Sequence, residues 1–337
     1  VSFSQGKLAI VAGVLGLALT VGTAQAQDKT FTMKITTPTL HAALDEYAKV
    51  FGAAIEKDSG GRIKVEVYPA SQLGSIPRQI EGTQFGAIQC AIIPPEFFVG
   101  IDERFEVLAA PGLVTSVAQG HKVAADPEVQ KFYLGLGADK GLHGVAVAYA
   151  EPSEVLSKSA IRHVADFKGK KIRIFASEFQ SAAFKRLGTT PVAMSPSDVM
   201  TAIQQGSLDS SVAGVELLSG LHFFDAAKYI TMTNHAAIFY LVEVSKKWYD
   251  TLPADLQQIV DKDAASVAKD FTPRAIEIDN AANKVWTDNG GELINLPADD
   301  QADMLKTMSS VGADVSKEKP ALNDAYKIVI DAAKRAQ

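Results

Sequence analysis

Apolar and polar side chains alternate from Phe31 to Thr36, with Phe31, Met33 and Ile35 on one side, which is the period of a half-buried strand. From Leu40 the period changes. Leu40, Leu44, Tyr47, Phe51, Ala54 and Ile55 recur at helical spacing until Ser59-Gly60-Gly61 stops the pattern. Alternation returns over Ile63 to Tyr68 and ends at Pro69. The order strand, helix, strand suits a parallel α/β sheet. It continues with a helix over 76–85, an apolar strand over 87–93 closed by Pro94-Pro95, helices within 116–138 and a strand over 144–149.

Glu151-Pro152-Ser153 breaks this pattern, and a second strand–helix series follows. It consists of a strand over 171–175, a helix over 178–187, a strand over 190–194 and a helix over 197–205. A domain boundary near 150–154 is therefore expected. The extended run Phe239 to Val244 would carry the chain back, and two crossings between lobes would form a hinge. From Pro253 to about Asn289 an amphipathic pattern predicts a helix about 50 Å long, bent where Pro273 interrupts it. The stretch 297–334 reads as two shorter helices separated by 312–320.

Lys7 followed by the apolar run Leu8 to Val21 and by Ala24-Gln25-Ala26 has the layout of a secretory signal peptide cleaved after Ala26. The run is shorter than the roughly 20 residues that span a bilayer. The 337 residues are 47% hydrophobic and 21% charged, as in folded globular proteins. Lys and Arg number 33 against 39 Asp and Glu, and the net charge of −6 disfavours nucleic acid as a partner. A single cysteine, Cys90, excludes an intrachain disulfide and any multi-thiolate metal centre. The six histidines show no metal-binding spacing, and Gly135-x-Gly137-x-x-x-Gly141 departs from the dinucleotide fingerprint and follows a helix. Asp299, Asp300 and Asp303 are accounted for by the dipole of a helix starting after Pro297. No metal, cofactor or catalysis is expected.

Four stretches in order carry a family resemblance: Gly60 to Pro69 with Gln72-Leu73-Gly74, then Asp166 to Ile174, Asp198 to Asp209, and Lys228 to His235. Together they resemble the DctP-type solute-binding proteins of tripartite ATP-independent periplasmic (TRAP) transporters, over essentially the whole chain after residue 26. The resemblance implies an α/β fold of two lobes, a strand hinge and a long bent helix across both. The first lobe would comprise 27–150 and 239–278, the second 151–238 and 279–337. It also implies a monomeric periplasmic protein that captures a small organic acid, presents it to membrane permease subunits and performs no chemistry.

Arg173 matches the family's carboxylate-binding arginine, and its planar guanidinium suits a carboxylate edge. From spacing alone Arg173 could instead share a solvated strand face with Lys171. Glu154 falls where the family has a second arginine, and Ala213 where it has an asparagine; both changes argue against ordinary C4-dicarboxylates. Two readings of Glu154 stay open. It could accept a ligand ammonium, making an amino acid or dipeptide the ligand, or it could face solvent or pair with Lys158 or Arg162, leaving a monocarboxylate, hydroxy- or keto-substituted, with an apolar remainder. Phe175 shares a strand face with Arg173 and could stack on the ligand. Glu216, Phe239 and Tyr240 near the hinge, and Gln72, Glu81 and Pro95 at first-lobe strand ends, are further lining candidates, and Pro196 replaces a frequent family aromatic. Two rival readings remain: a periplasmic enzyme drawing on Glu154, Glu216 or His235, and a sensor subunit docking on a receptor.

Overall fold

A computed structural model describes residues 1–2 and 29–337; the predicted signal peptide otherwise lies outside the described residues. The first series of elements is β1 (Phe31–Thr36), α1 (Ala43–Asp58), β2 (Ile63–Tyr68), α2 (Ile76–Phe85) and β3 (Cys90–Ile93). Then come α3 (Val117–Ala124), α4 (Pro127–Gly135) and β4 (Leu142–Ser157). The second series is β5 (Lys171–Ile174), α5 (Glu178–Arg186), β6 (Thr190–Ala193), α6 (Pro196–Gln204), β7 (Ser210–Ala213) and α7 (Val215–Gly220). The chain closes with β8 (Tyr229–Ser245), α8 (Lys246–Tyr249), α9 (Ala254–Asp270), α10 (Thr272–Asp288), β9 (Glu292–Asn295), α11 (Ala298–Ser309), α12 (Val311–Ser316) and α13 (Pro320–Arg335).

The strands form one mixed sheet in the order β2-β1-β3-β8-β4-β7-β5-β6, with β9 beside β8. β1 pairs in parallel with β2 and β3, and β5 with β6 and β7, as the two strand–helix series require. β4 and β8 run antiparallel to each other and join the halves. Each is about three times the length of an average strand. One half of each strand belongs to the first lobe and the other half to the second, so this pair is the hinge. The sequence break at Glu151-Pro152-Ser153 is no strand end. The pairing register shifts between Tyr149 and Glu151 and again between Ser153 and Val155, and irregularities of this kind let Pro152 sit in a strand without ending it.

The amphipathic stretch after Pro253 is two helices, α9 and α10, meeting at Phe271, with Pro273 in the first turn of α10 where its missing N–H costs nothing. α9 packs on α1 and α10 on α7, so the pair spans both lobes. The C-terminal stretch holds three helices rather than two, and β9 precedes them. α13 is seated on the first lobe, not on the second where the sequence reading places it: Gln119 donates to the Ala333 carbonyl at 2.9 Å, and Arg335 meets Asp126 at 2.9 Å. No helix among the described residues is long and apolar enough to cross a membrane.

The lobes meet closely. A Cβ at Gly220, the end of α7, would lie 1.7 Å from the Leu40 carbonyl oxygen in the loop before α1. Backbone does not yield as a side chain tip does, so Gly220→Ala is expected to hold the lobes apart or lower stability by about 1–3 kcal/mol. Small-angle scattering and thermal melts check this; a variant as compact and as stable as the parent would contradict the close approach.

Candidate ligand-binding site

Arg173 lies in β5 with its guanidinium turned inward; the residue is 1% exposed, and Lys171, two residues earlier, is exposed. The solvated-face reading of Arg173 therefore does not hold. Its Nε donates to the Met194 carbonyl at 2.8 Å and its Nη1 to the Val212 carbonyl at 2.7 Å. Nη2 is buried without a partner, and the guanidinium makes no ion pair among the described residues. Phe175 lies 4.7 Å from the guanidinium carbon and Phe97 5.9 Å, the two rings stacked at 5.4 Å. Burial lowers the Arg173 pKa, opposed by the charge of Glu96.

Around the guanidinium lies a small cavity between the lobes, about 20 Å³, which is room for about one water molecule. Thr39, Ile76 and Phe97 come from the first lobe, Phe175, Pro196 and Leu217 from the second, and Glu151 and Ile238 from the hinge strands. Glu151 is the carboxyl of this wall. Its Oε2 accepts the Glu216 N–H at 2.8 Å, and its carboxyl lies so close over Gly214 that any Cβ there would overlap it. Burial, then the neighbouring Glu216, pushes the Glu151 pKa well above the usual carboxylate range. A protonated carboxyl can donate to a carbonyl as well as accept from a hydroxyl.

Glu216 itself reaches across the cleft. Its Oε2 accepts the N–H of Ala43, at the start of α1, at 2.6 Å, while Oε1 has no partner. Glu106 of the first lobe does the reverse, accepting from the Ser177 hydroxyl at 2.8 Å and the Phe179 N–H at 3.1 Å at the start of α5. Each lobe thus caps a helix N-terminus of the other, where donors are unsatisfied and negative charge is favoured. Glu151, Glu216 and Asp279 bring carboxylate oxygens within 4.8 Å of one another, a grouping that could hold a cation. Burial raises the pKa of all three, so protonation can relieve their repulsion without a cation.

Glu154 is fully buried but outside this cavity wall. Its Oε2 accepts the Asn234 N–H at 3.0 Å, and its backbone pairs with Ala213 between β4 and β7. It meets neither solvent nor Lys158 or Arg162. Ala213 is buried and its neighbour Gly214 faces the cavity. Phe239 packs edge-on against Tyr149 and Tyr240 edge-on against Tyr47, both away from Arg173. Gln72 and Glu81 are exposed, Glu81 pairing with Arg78, and Pro95 is buried beside the lining residue Pro94. Arg173 and Phe175 are thus the sequence candidates that the fold brings together in the cavity, with Pro196, while Glu151, Thr39, Phe97 and Leu217 were not foreseen. The Pro94-Pro95 break could have pointed to Phe97, since open α/β sheets place ligands beyond strand ends.

The model of the bacterial extracellular solute-binding proteins, family 7, matches residues 36–319. The chain belongs to this family. It is 28% identical over 212 residues to the 2,3-diketo-L-gulonate-binding periplasmic protein of Escherichia coli, covering 63% of this chain and 64% of that one. It is 29% identical over 239 residues to the C4-dicarboxylate-binding periplasmic protein DctP of Rhodobacter capsulatus, covering 68% and 71%. The match thus spans slightly under two thirds of the length of the first of these relatives. Among solved structures, the fold matches a TRAP periplasmic solute-binding protein of Desulfovibrio salexigens holding orotic acid, with a TM-score of 0.84, 20% identity and coverage of 91% and 100%. It matches equally the sugar acid binding protein of Advenella mimigardefordensis in complex with galactonate, with a TM-score of 0.84, 20% identity and coverage of 92% and 99%.

The buried carboxyls give this family 7 protein a pH signature. Glu96, Glu154 and Glu216 are each raised from 4.5 to about 8, burial being the largest cause. Between those values the folded state binds more protons than the unfolded one, so stability rises as pH falls. Burial lowers His235 from 6.5 to about 4, which opposes the trend below pH 6.5. Melting temperature should therefore climb from pH about 8 to pH about 6.5 and less steeply in Glu154→Gln. A flat or falling profile in differential scanning fluorimetry would contradict the burial of these groups.

Proposed function

We propose that the protein is the extracytoplasmic solute-binding subunit of a TRAP transporter, exported to the periplasm, where it captures a small organic monocarboxylate between its lobes and delivers it unchanged to membrane permease subunits. The observation that carries this reading is Arg173, a buried cation whose Nη2 amino group has no hydrogen-bond partner and which makes no ion pair among the described residues. Leaving such a group uncompensated is costly, and a ligand carboxylate supplies both the charge and the acceptor. Family membership and the organic acids held by structurally similar proteins support the same reading.

The cavity narrows the ligand further. With one guanidinium and a wall of proline, phenylalanine and aliphatic side chains, it suits a single carboxylate on an apolar body. A second carboxylate would meet Glu151, whose burial already disfavours charge, whereas a hydroxyl or keto oxygen could hydrogen-bond to its protonated form. The space between the lobes is too small for such an acid as it stands, so entry needs the lobes to part about β4 and β8. Closure is then favoured by contacts from both sides to the ligand. Glu216 and Glu106 would latch the closed form.

Calorimetric titration with hydroxy- and keto-monocarboxylates and with succinate tests the reading. A monocarboxylate of this class should bind and raise the melting temperature. Succinate should bind at least about tenfold more weakly, the size of one unfavourable charge contact. Arg173→Met should abolish measurable binding, a loss of about 2–5 kcal/mol, while leaving the fold intact. Undiminished binding in that variant, or a preference for succinate, would contradict the proposal.

A further inference from the structure

A cavity much larger than the one at Arg173 lies elsewhere in the described residues. It measures about 520 Å³ and lies on the first lobe, between α3, α4, the first half of β4 and the end of α9. That size falls in the range of roughly 300–1,000 Å³ typical of small-molecule sites. Most of its wall is apolar, with Leu134, Val145, Val147 and Phe271 prominent. Among its polar side chains, three carry a group without a partner among the described residues. Tyr240 is fully buried and its hydroxyl has no partner. His121 is held by Thr272 through Nδ1 at 3.0 Å, which leaves its buried Nε2 without a partner. Lys269 lines the same cavity, is exposed, and makes no ion pair among the described residues.

We propose that this cavity is a second small-molecule site, for an organic monoanion with a mainly apolar body and a hydrogen-bonding oxygen at its far end. An apolar interior favours the body, and the unpaired ammonium at Lys269 selects a negative end. Buried donors and acceptors without partners are rare in folded proteins, and an oxygen on the occupant satisfies those of His121 and Tyr240. The site is separate from the first but adjoins it through the hinge. A smaller cavity of about 160 Å³ shares His121 and Tyr149 with it and extends to Glu151, a wall of the Arg173 cavity. An occupant here touches β4 and α9, one of the two crossing strands and one of the two crossing helices.

ω-Hydroxydecanoate, titrated calorimetrically, is the probe. In Arg173→Met, whose cleft no longer takes a carboxylate, one molecule should still bind per chain, which separates this site from the cleft. Ala265→Trp, at an exposed lining position of α9, should abolish binding by filling the cavity. Lys269→Glu, a surface change that leaves the core untouched, should weaken it about tenfold. Absence of binding to the parent protein would overturn the proposal. So would binding lost in Arg173→Met, or several weak sites unmoved by Ala265→Trp, since these outcomes place the probe in the cleft or on the surface.

Discussion

A guanidinium enclosed by protein and without an ion-pair partner among the described residues is the constraint on which this molecule is organised. Two backbone carbonyls hold Arg173 in place, so its orientation is set before any ligand arrives. Carbonyl dipoles stabilise the cation in part, but they do not neutralise it, and the unfilled N–H group faces a space that both lobes enclose. Preorganisation of this kind would let the proposed acid gain charge-assisted bonds without ordering the arginine at the moment of binding. The stacked Phe97 and Phe175, one from each lobe, keep water from that charge when the lobes are together.

The contacts between the lobes differ in kind from those proposed to the ligand. Glu216 and Glu106 each satisfy helix N-terminal donors of the opposite lobe, and Gly220 allows α7 to reach the backbone before α1. The two carboxyls are costly to bury as anions, which weakens the latches relative to exposed caps. That balance suits a hinge protein: contacts strong enough to define a closed form, yet offset by desolvation so that the form can reopen. The register of β4 against β8 is irregular where they pass between the halves of the sheet, which is where the proposed hinge would bend.

Much of the fold was legible from periodicity. The strand–helix series on either side of residue 150 appear where alternation, helical spacing and short apolar runs place them, since the helices α1, α2, α5 and α6 bury one face and expose the other while β3 is buried throughout. The crossing strands were underestimated because β4 is buried along nearly all of its length and shows no alternation, while Pro152 mimics an end. Arg173 was legible through the family resemblance, spacing alone allowing a solvated face, and Phe175 followed from its place two residues further along. Glu151 was not. Its position two residues before Ser153 looked like a turn, and only the register shift at Tyr149 turns its carboxyl into the cleft. Gln72 and Glu81 were chosen by nearness to strand ends, but α2 carries Ile76 inward and leaves Glu81 outward, a helical phase that a position-only argument overlooks. The seat of α13 depends on tertiary packing with α3 and α4, for which the sequence holds no local signal.

A crystal structure of the protein with its native acid bound would decide the role of Arg173. One carboxylate oxygen is expected within hydrogen-bond distance of Arg173 Nη2, with the guanidinium otherwise unmoved and the lobes closed over the ligand. An occupant that carries no anionic group, or that leaves Nη2 unsatisfied, would contradict it.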